Sequence, residues 1–193
     1  MDWLYLQTIA AGCSKAGRPI TILGNNFGFR KQAYDELGGF KKIGFSVTED
    51  FKLMQAMEAK TDWGIRHTTD LENTIYSKPV QKYSHFYAQR QRWIKGGQSA
   101  RPFAYVIVGL SLLAHLAILG IFIMSLWTRT AAMAVGMIIG MDYFILKRVT
   151  KITKQKKILR WFLPFELFYI SNLIVFSIAS LVPQKVHWKN RKF

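Results

Sequence analysis

Two adjacent carboxylates, Glu49 and Asp50, follow Thr48 where an apolar-periodic stretch begins. Ser46 stands three residues ahead of Glu49, a capping-box spacing that predicts a helix from 46 to about Ala59. An acid pair at a helix start has two chemical meanings. It complements the macrodipole, or it holds one ionised carboxylate ready to take a proton from an attacking sugar hydroxyl. A second constellation is Gln89–Arg90–Gln91–Arg92–Trp93. On a helix Gln89, Arg92, Trp93 and Gly96 share one face. There Arg grips a diphosphate bidentately, Gln adds a hydrogen bond, and Trp offers a flat apolar surface to a sugar ring. The same residues beside a membrane would serve as headgroup anchors. The third is Gly24–Asn25–Asn26 with Phe27 and Phe29–Arg30, either a plain turn or the lining of a cleft above a sheet edge.

The elements that must hold these groups read as α/β over residues 1–101. Met1–Ala11 has a helical pattern, and Pro19–Leu23 is a short β-rich run that delivers Gly24. Lys31–Leu37 reads as a helix stopped by Gly38–Gly39. Asp62–His67 and Asn73–Ser77 have strand-like composition. Tyr83–Lys95 forms an amphipathic helix that leads towards the apolar part of the chain.

That apolar part changes the meaning of the charge. The 193 residues carry 27 Lys+Arg against 11 Asp+Glu, a net of +16. Residues 1–72 are neutral, with nine of each sign. Residues 73–193 hold eighteen cations and only Asp142 and Glu166 as acids. The cations flank three apolar runs, at about 103–127, 130–146 and 161–182. The first is 25 residues without a charge, longer at ~1.5 Å per residue than the ~30 Å hydrocarbon layer. The third contains Pro164, Glu166 and Asn172, and either spans or re-enters. Lys/Arg placement puts residues 1–101 and the basic loop 147–160 in the cytoplasm and the 128–130 turn outside. The tail cations Lys185, Lys189, Arg191 and Lys192 favour the inside too.

Taken in order, the three constellations resemble the C-terminal half of a membrane-anchored family 2 glycosyltransferase, the kind that includes cellulose, hyaluronan and ceramide-glucosyl synthases. Thr48–Glu49–Asp50 matches that family's TED-type motif, and Gln89–x–x–Arg92–Trp93 its Q-x-x-R-W motif just before membrane helices. Gly24–Asn25–Asn26, Phe29–Arg30 and Gly38–Gly39–Phe40 are similar to its G-x-N, F-R and G-G-F segments. The resemblance covers about residues 1–182. It implies a partial GT-A domain over 1–101 followed by a membrane region over 102–193. It further implies inverting sugar transfer from a nucleotide-diphosphate sugar to a lipid or glycan acceptor at the cytoplasmic face of the plasma (inner) membrane. Asp50 would be the general base, with Glu49 supporting it. Gln89 and Arg92 would hold the diphosphate, Trp93 would help form the acceptor site, and Gly24, Asn25 and Asn26 would line the cleft. Mg²⁺ or Mn²⁺ is expected for the full-length enzyme. Its D-x-D ligand motif does not occur here, so no metal site is expected in this chain, which reads as a piece of a longer enzyme.

Composition removes other classes. One cysteine, Cys13, builds no disulfide framework, and 15% aromatic content excludes a disordered basic tail. Nucleic acid is not an expected partner, because the cations track the ends of apolar runs. The competing reading is a non-catalytic membrane protein that binds anionic lipid or a partner subunit through its basic helix and loop. His67, His85, His115 and His187 are too scattered for a metal site. Asp142 and Glu166 are candidates by their place in apolar runs, with pairing to the 147–160 cations as the plainer role.

Overall fold

The computed structural model describes residues 1–68, 70–181, 187–188 and 191–192. Among the described residues eight α-helices follow in order: α1 (Asp2–Lys15), α2 (Lys31–Glu36), α3 (Gly39–Ile43), α4 (Glu49–Lys60), α5 (Tyr83–Gly97), α6 (Pro102–Met124), α7 (Arg129–Ile152) and α8 (Phe162–Leu181). Short 3₁₀ turns cover Leu71–Asn73 and Lys156–Trp161. Strands β1 (His187–Trp188) and β2 (Arg191–Lys192) form one antiparallel pair. The runs expected to be strands, 19–23, 62–67 and 73–77, carry no ladder among the described residues. Of the tail residues, 182–186, 189–190 and 193 lie outside the described set, and with them Lys185, Lys189 and the end of the third apolar run.

Local chemistry explains most helix ends. Gly38 and Gly39 both take positive φ, +71° and +65°. This left-handed pair turns the chain sharply, so the chain stops α2 and restarts at once as α3. At α4 the expected capping box is replaced. Thr48 is the N-cap, and Ser46 Oγ accepts the N–H of Thr48 at 3.1 Å. The helix therefore starts at Glu49, which places Glu49 and Asp50 in its first turn. Pro102 opens α6, where the missing N–H costs nothing. Pro164 sits in the first turn of α8 for the same reason.

Two cores hold these pieces. The first joins α2, α3 and α4 through Ala33, Leu37, Leu53 and Met57, flanked by Phe27, Tyr34, Ile43, Trp63 and Ile65. Leu53 is 2% exposed at its centre. The second joins α1 to the feet of α7 and α8 through Leu4, Leu146 and Phe162. The amphipathic helix α5 lies along α8. Phe86 packs on Phe168 and Phe176, Tyr87 stacks on Phe176, and the Tyr83 hydroxyl donates to Asn172 Oδ1 at 2.9 Å.

Among the described residues three segments are long and apolar enough to cross a bilayer: Pro102–Met124, Arg129–Ile152 and Lys156–Ser180, with mean hydropathy 2.6, 1.4 and 1.7. Their outer faces are bare. Val108, Leu113, Met133 and Leu167 are among many large apolar side chains more than half exposed. Apolar surface on that scale marks a face that contacts a membrane or another protein. The loop expected over 147–160 is shorter than its cations suggested: α7 continues to Ile152 and 156–161 is 3₁₀, which leaves only 153–155 irregular.

Candidate active site

The first turn of α4 is gripped from two sides by glycines. On one side, residues 23–26 form a turn closed by the Asn26 N–H, which donates to the Leu23 carbonyl at 3.0 Å. The Asp50 carboxylate overlies Gly24 of that turn so closely that a Cβ there would collide with Oδ2. Asp50 Oδ1 accepts the Phe51 N–H at 2.8 Å, which orients the carboxylate with Oδ2 towards the turn. On the other side α5 presents Gly96. Thr48, 7% exposed, fills the place where a Gly96 side chain would be.

Charge secures the same junction. Arg92 Nη1 donates to the Val47 carbonyl at 2.8 Å, so α5 holds the chain just ahead of the acid pair. Further along, Gln55 Nε2 donates to the Ser99 carbonyl at 2.6 Å and Ser99 Oγ donates back to Gln55 Oε1 at 3.1 Å. Glu58 pairs with Arg101 at 2.9 Å. Positions 48, 55 and 58 thus form one face of α4 clamped to α5 and the α5–α6 connection.

The sequence-predicted residues do not all gather. Asp50, Gly24 and Arg92 converge on the start of α4. Glu49 is exposed and points away from the buried face. Gln89 is half-buried on α5. Trp93 turns to α1, edge-on to Trp3 at 5.4 Å, with the Arg90 guanidinium 4.1 Å from its ring centre. Asn25 and Asn26 reach across the turn to a strap. Asn25 Nδ2 donates to Ser77 Oγ at 2.8 Å, and Asn26 Nδ2 donates to the Asn73 carbonyl. The strap's Tyr76 hydroxyl reaches the Thr153 carbonyl at the end of α7, at 3.4 Å.

Several participants are new. Arg90 pairs with Asp2 and so ties α5 to α1; burial pulls its guanidinium below the ordinary value, and Asp2 opposes that. Ser14 accepts the His67 N–H at 3.1 Å and donates to the Ile65 carbonyl at 2.9 Å, satisfying part of the 62–67 backbone. Burial lowers the His67 imidazole below its ordinary value. Gly96 carried a usable signal, since it shares the face of Gln89, Arg92 and Trp93. The Asn25 and Asn26 contacts, 52 and 47 residues distant, carried none.

The described residues offer no ready ligand set for a divalent cation. Among the described residues no three His, Cys, Asp or Glu side chains gather as a ligand group. Asp50 itself has one oxygen committed to backbone.

A family model described as glycosyl transferase family group 2 matches residues 2–179. No curated protein and no solved structure matches the chain.

Proposed function

Because the chain belongs to glycosyl transferase family group 2 and is a glycosyltransferase, we propose that it carries out inverting transfer from a nucleotide-diphosphate sugar to a lipid or glycan acceptor, at the cytoplasmic face of a membrane. The observation that carries this reading is the seat of Asp50. Its Oδ2 overlies Gly24, the one position of that turn without a side chain, and its helix start is held by Arg92 and Gly96.

In the proposed reaction the acceptor hydroxyl oxygen attacks the anomeric carbon while Asp50 takes the hydroxyl proton. The bond from that carbon to the diphosphate oxygen breaks, and the nucleoside diphosphate leaves with the electron pair. Such proton transfer contributes about 10²- to 10⁴-fold. Arg92 brings a planar fork of N–H donors to the same junction, the geometry that meets a diphosphate bidentately. Gln89 lies one turn before it on α5. Trp93 is the apolar ring proposed for the acceptor, although it faces Trp3 of α1 and not the start of α4. Glu49 adds negative charge beside Asp50.

Mg²⁺ or Mn²⁺ would neutralise the diphosphate in such an enzyme; its ligands are not found among the described residues, and no step here runs through it. The GT-A α/β fold is part of the proposal too. Segments 19–23 and 62–67 lie to either side of α4 in the chain and have strand-like composition, which suits them to edges of a sheet. Lys/Arg placement supports the cytoplasmic face.

Asp50→Asn keeps size and loses the base. In membranes carrying the enzyme it should lower sugar transfer at least ~100-fold, with protein level and thermal midpoint unchanged. Near-normal turnover would sink the assignment.

A further inference from the structure

A cleft of about 420 Å³ opens between α4 and the first turn of α6. Its volume falls in the ~300–1,000 Å³ range of small-molecule sites. The lining is apolar below and cationic at the rim. Phe51 and Met54 of α4, Ile20 and Phe103 form the apolar part, and Arg18 and Arg101 are the cations. This is not the Asp50 turn: neither Asp50 nor any of residues 23–26 lines the cleft.

Both cations are held in place. The Arg18 guanidinium lies over the Phe103 ring, 5.1 Å from its centre. Arg101 is fixed by Glu58 at 2.9 Å, yet its side chain remains half exposed, and one carboxylate cannot use all of a guanidinium's donors. With Glu58 counted, the lining carries a net positive charge. One wall belongs to Pro102–Met124, the most apolar of the three segments able to span a bilayer. The mouth therefore lies where that segment leaves the hydrocarbon, at headgroup depth.

We propose that this cleft binds one anionic glycerophospholipid of the surrounding bilayer. Its phosphate sits between Arg18 and Arg101, and its glycerol and first acyl carbons lie on Phe103, Phe51 and Met54. Apolar walls continuous with a membrane segment select an amphiphile over a soluble anion. The guanidinium pair selects an anionic over a zwitterionic headgroup. The site is independent of the transfer chemistry.

The test uses the full chain in phosphatidylcholine nanodiscs with and without phosphatidylglycerol. Retained phosphatidylglycerol is counted by native mass spectrometry and the thermal midpoint is followed. One tightly retained molecule and a raised midpoint are expected. Arg18→Gln should weaken retention about fivefold, the effect of one cation at an anionic surface. Lys157→Gln, which removes a cation outside the cleft, should leave retention at the wild-type level. Equal losses in both variants overturn the proposal, because they indicate diffuse attraction. So does inorganic phosphate raising the midpoint as much as phosphatidylglycerol does. If Arg18→Gln loses its helical circular dichroism, Arg18→Lys decides: it keeps the charge and loses the fork, so retention must fall, and wild-type retention overturns the site.

Discussion

Arg92 has two roles in the proposed site, one structural through the Val47 carbonyl and one chemical through the diphosphate. Lysine reproduces the charge but not the planar fork. Arg92→Lys should lower kcat by about 100-fold, the usual effect of removing one placed donor, in steady-state assays where protein level is unchanged. His67 gives a pH dependence. Its folded-state pKa lies below the ordinary value of 6.5 because burial disfavours the charged ring. Below pH 6.5 the unfolded chain therefore binds more protons, so stability is fully present above 6.5 and is lost as pH falls towards the folded value. Thermal midpoints measured from about pH 7 downwards should decline, and His67→Gln should flatten that decline. At this scale the sequence was most informative where residue type limits chemistry. An acid at a helix start and an Arg three residues after a Gln can be picked out singly. Which partner Asn25 or Trp93 chooses cannot, because Ser77 and Trp3 reach them only through the fold.

Between elements, the decisive contact is Gly96 against Thr48. Gly96→Ala would push the α4 start away from α5 and carry Asp50 with it. A displacement near ~1 Å costs on the order of 100-fold in rate, so kcat should fall about that far with little change in KM for the donor. Glycine at an N-cap costs only a few tenths of a kcal/mol relative to threonine. Thr48→Gly should therefore restore most of the activity in the Gly96→Ala background; no recovery in the double variant would refute the collision. Helices were legible here because their periodicity is local. The α4 start moved from Ser46 to Thr48 because Ser46 satisfies a backbone N–H in the approach rather than inside the helix. Strand-like runs 19–23, 62–67 and 73–77 form no ladder among the described residues. Their β character depends on partners that local sequence does not name.

For the whole molecule, charge partition and apolar length carried furthest. The three apolar runs correspond to the three helices long enough to span, although α7 begins at Arg129 and extends to Ile152. Composition did not reveal that α1 docks beneath α7 and α8 through Leu4, or that it is tied to α5 by the Asp2–Arg90 pair, because its pattern is an ordinary helical one. The proposed orientation is checked by labelling. In a Cys13→Ala background, Thr128→Cys should react with a membrane-impermeant maleimide in intact cells. Lys157→Cys should react only after the membrane is opened. The opposite pattern would reverse the assignment of faces.

The clamp along α4 has a metric consequence. Glu58 is pinned to Arg101, the residue before the first membrane segment, and it stands eight positions after Asp50. At ~1.5 Å per residue that is a rod of about 12 Å. With one end pinned beside the start of Pro102–Met124, the Asp50 carboxylate stands at a fixed distance from that apolar segment. In the proposed reaction that spacing would limit which acceptor hydroxyls Asp50 can meet, by their distance from the first apolar segment.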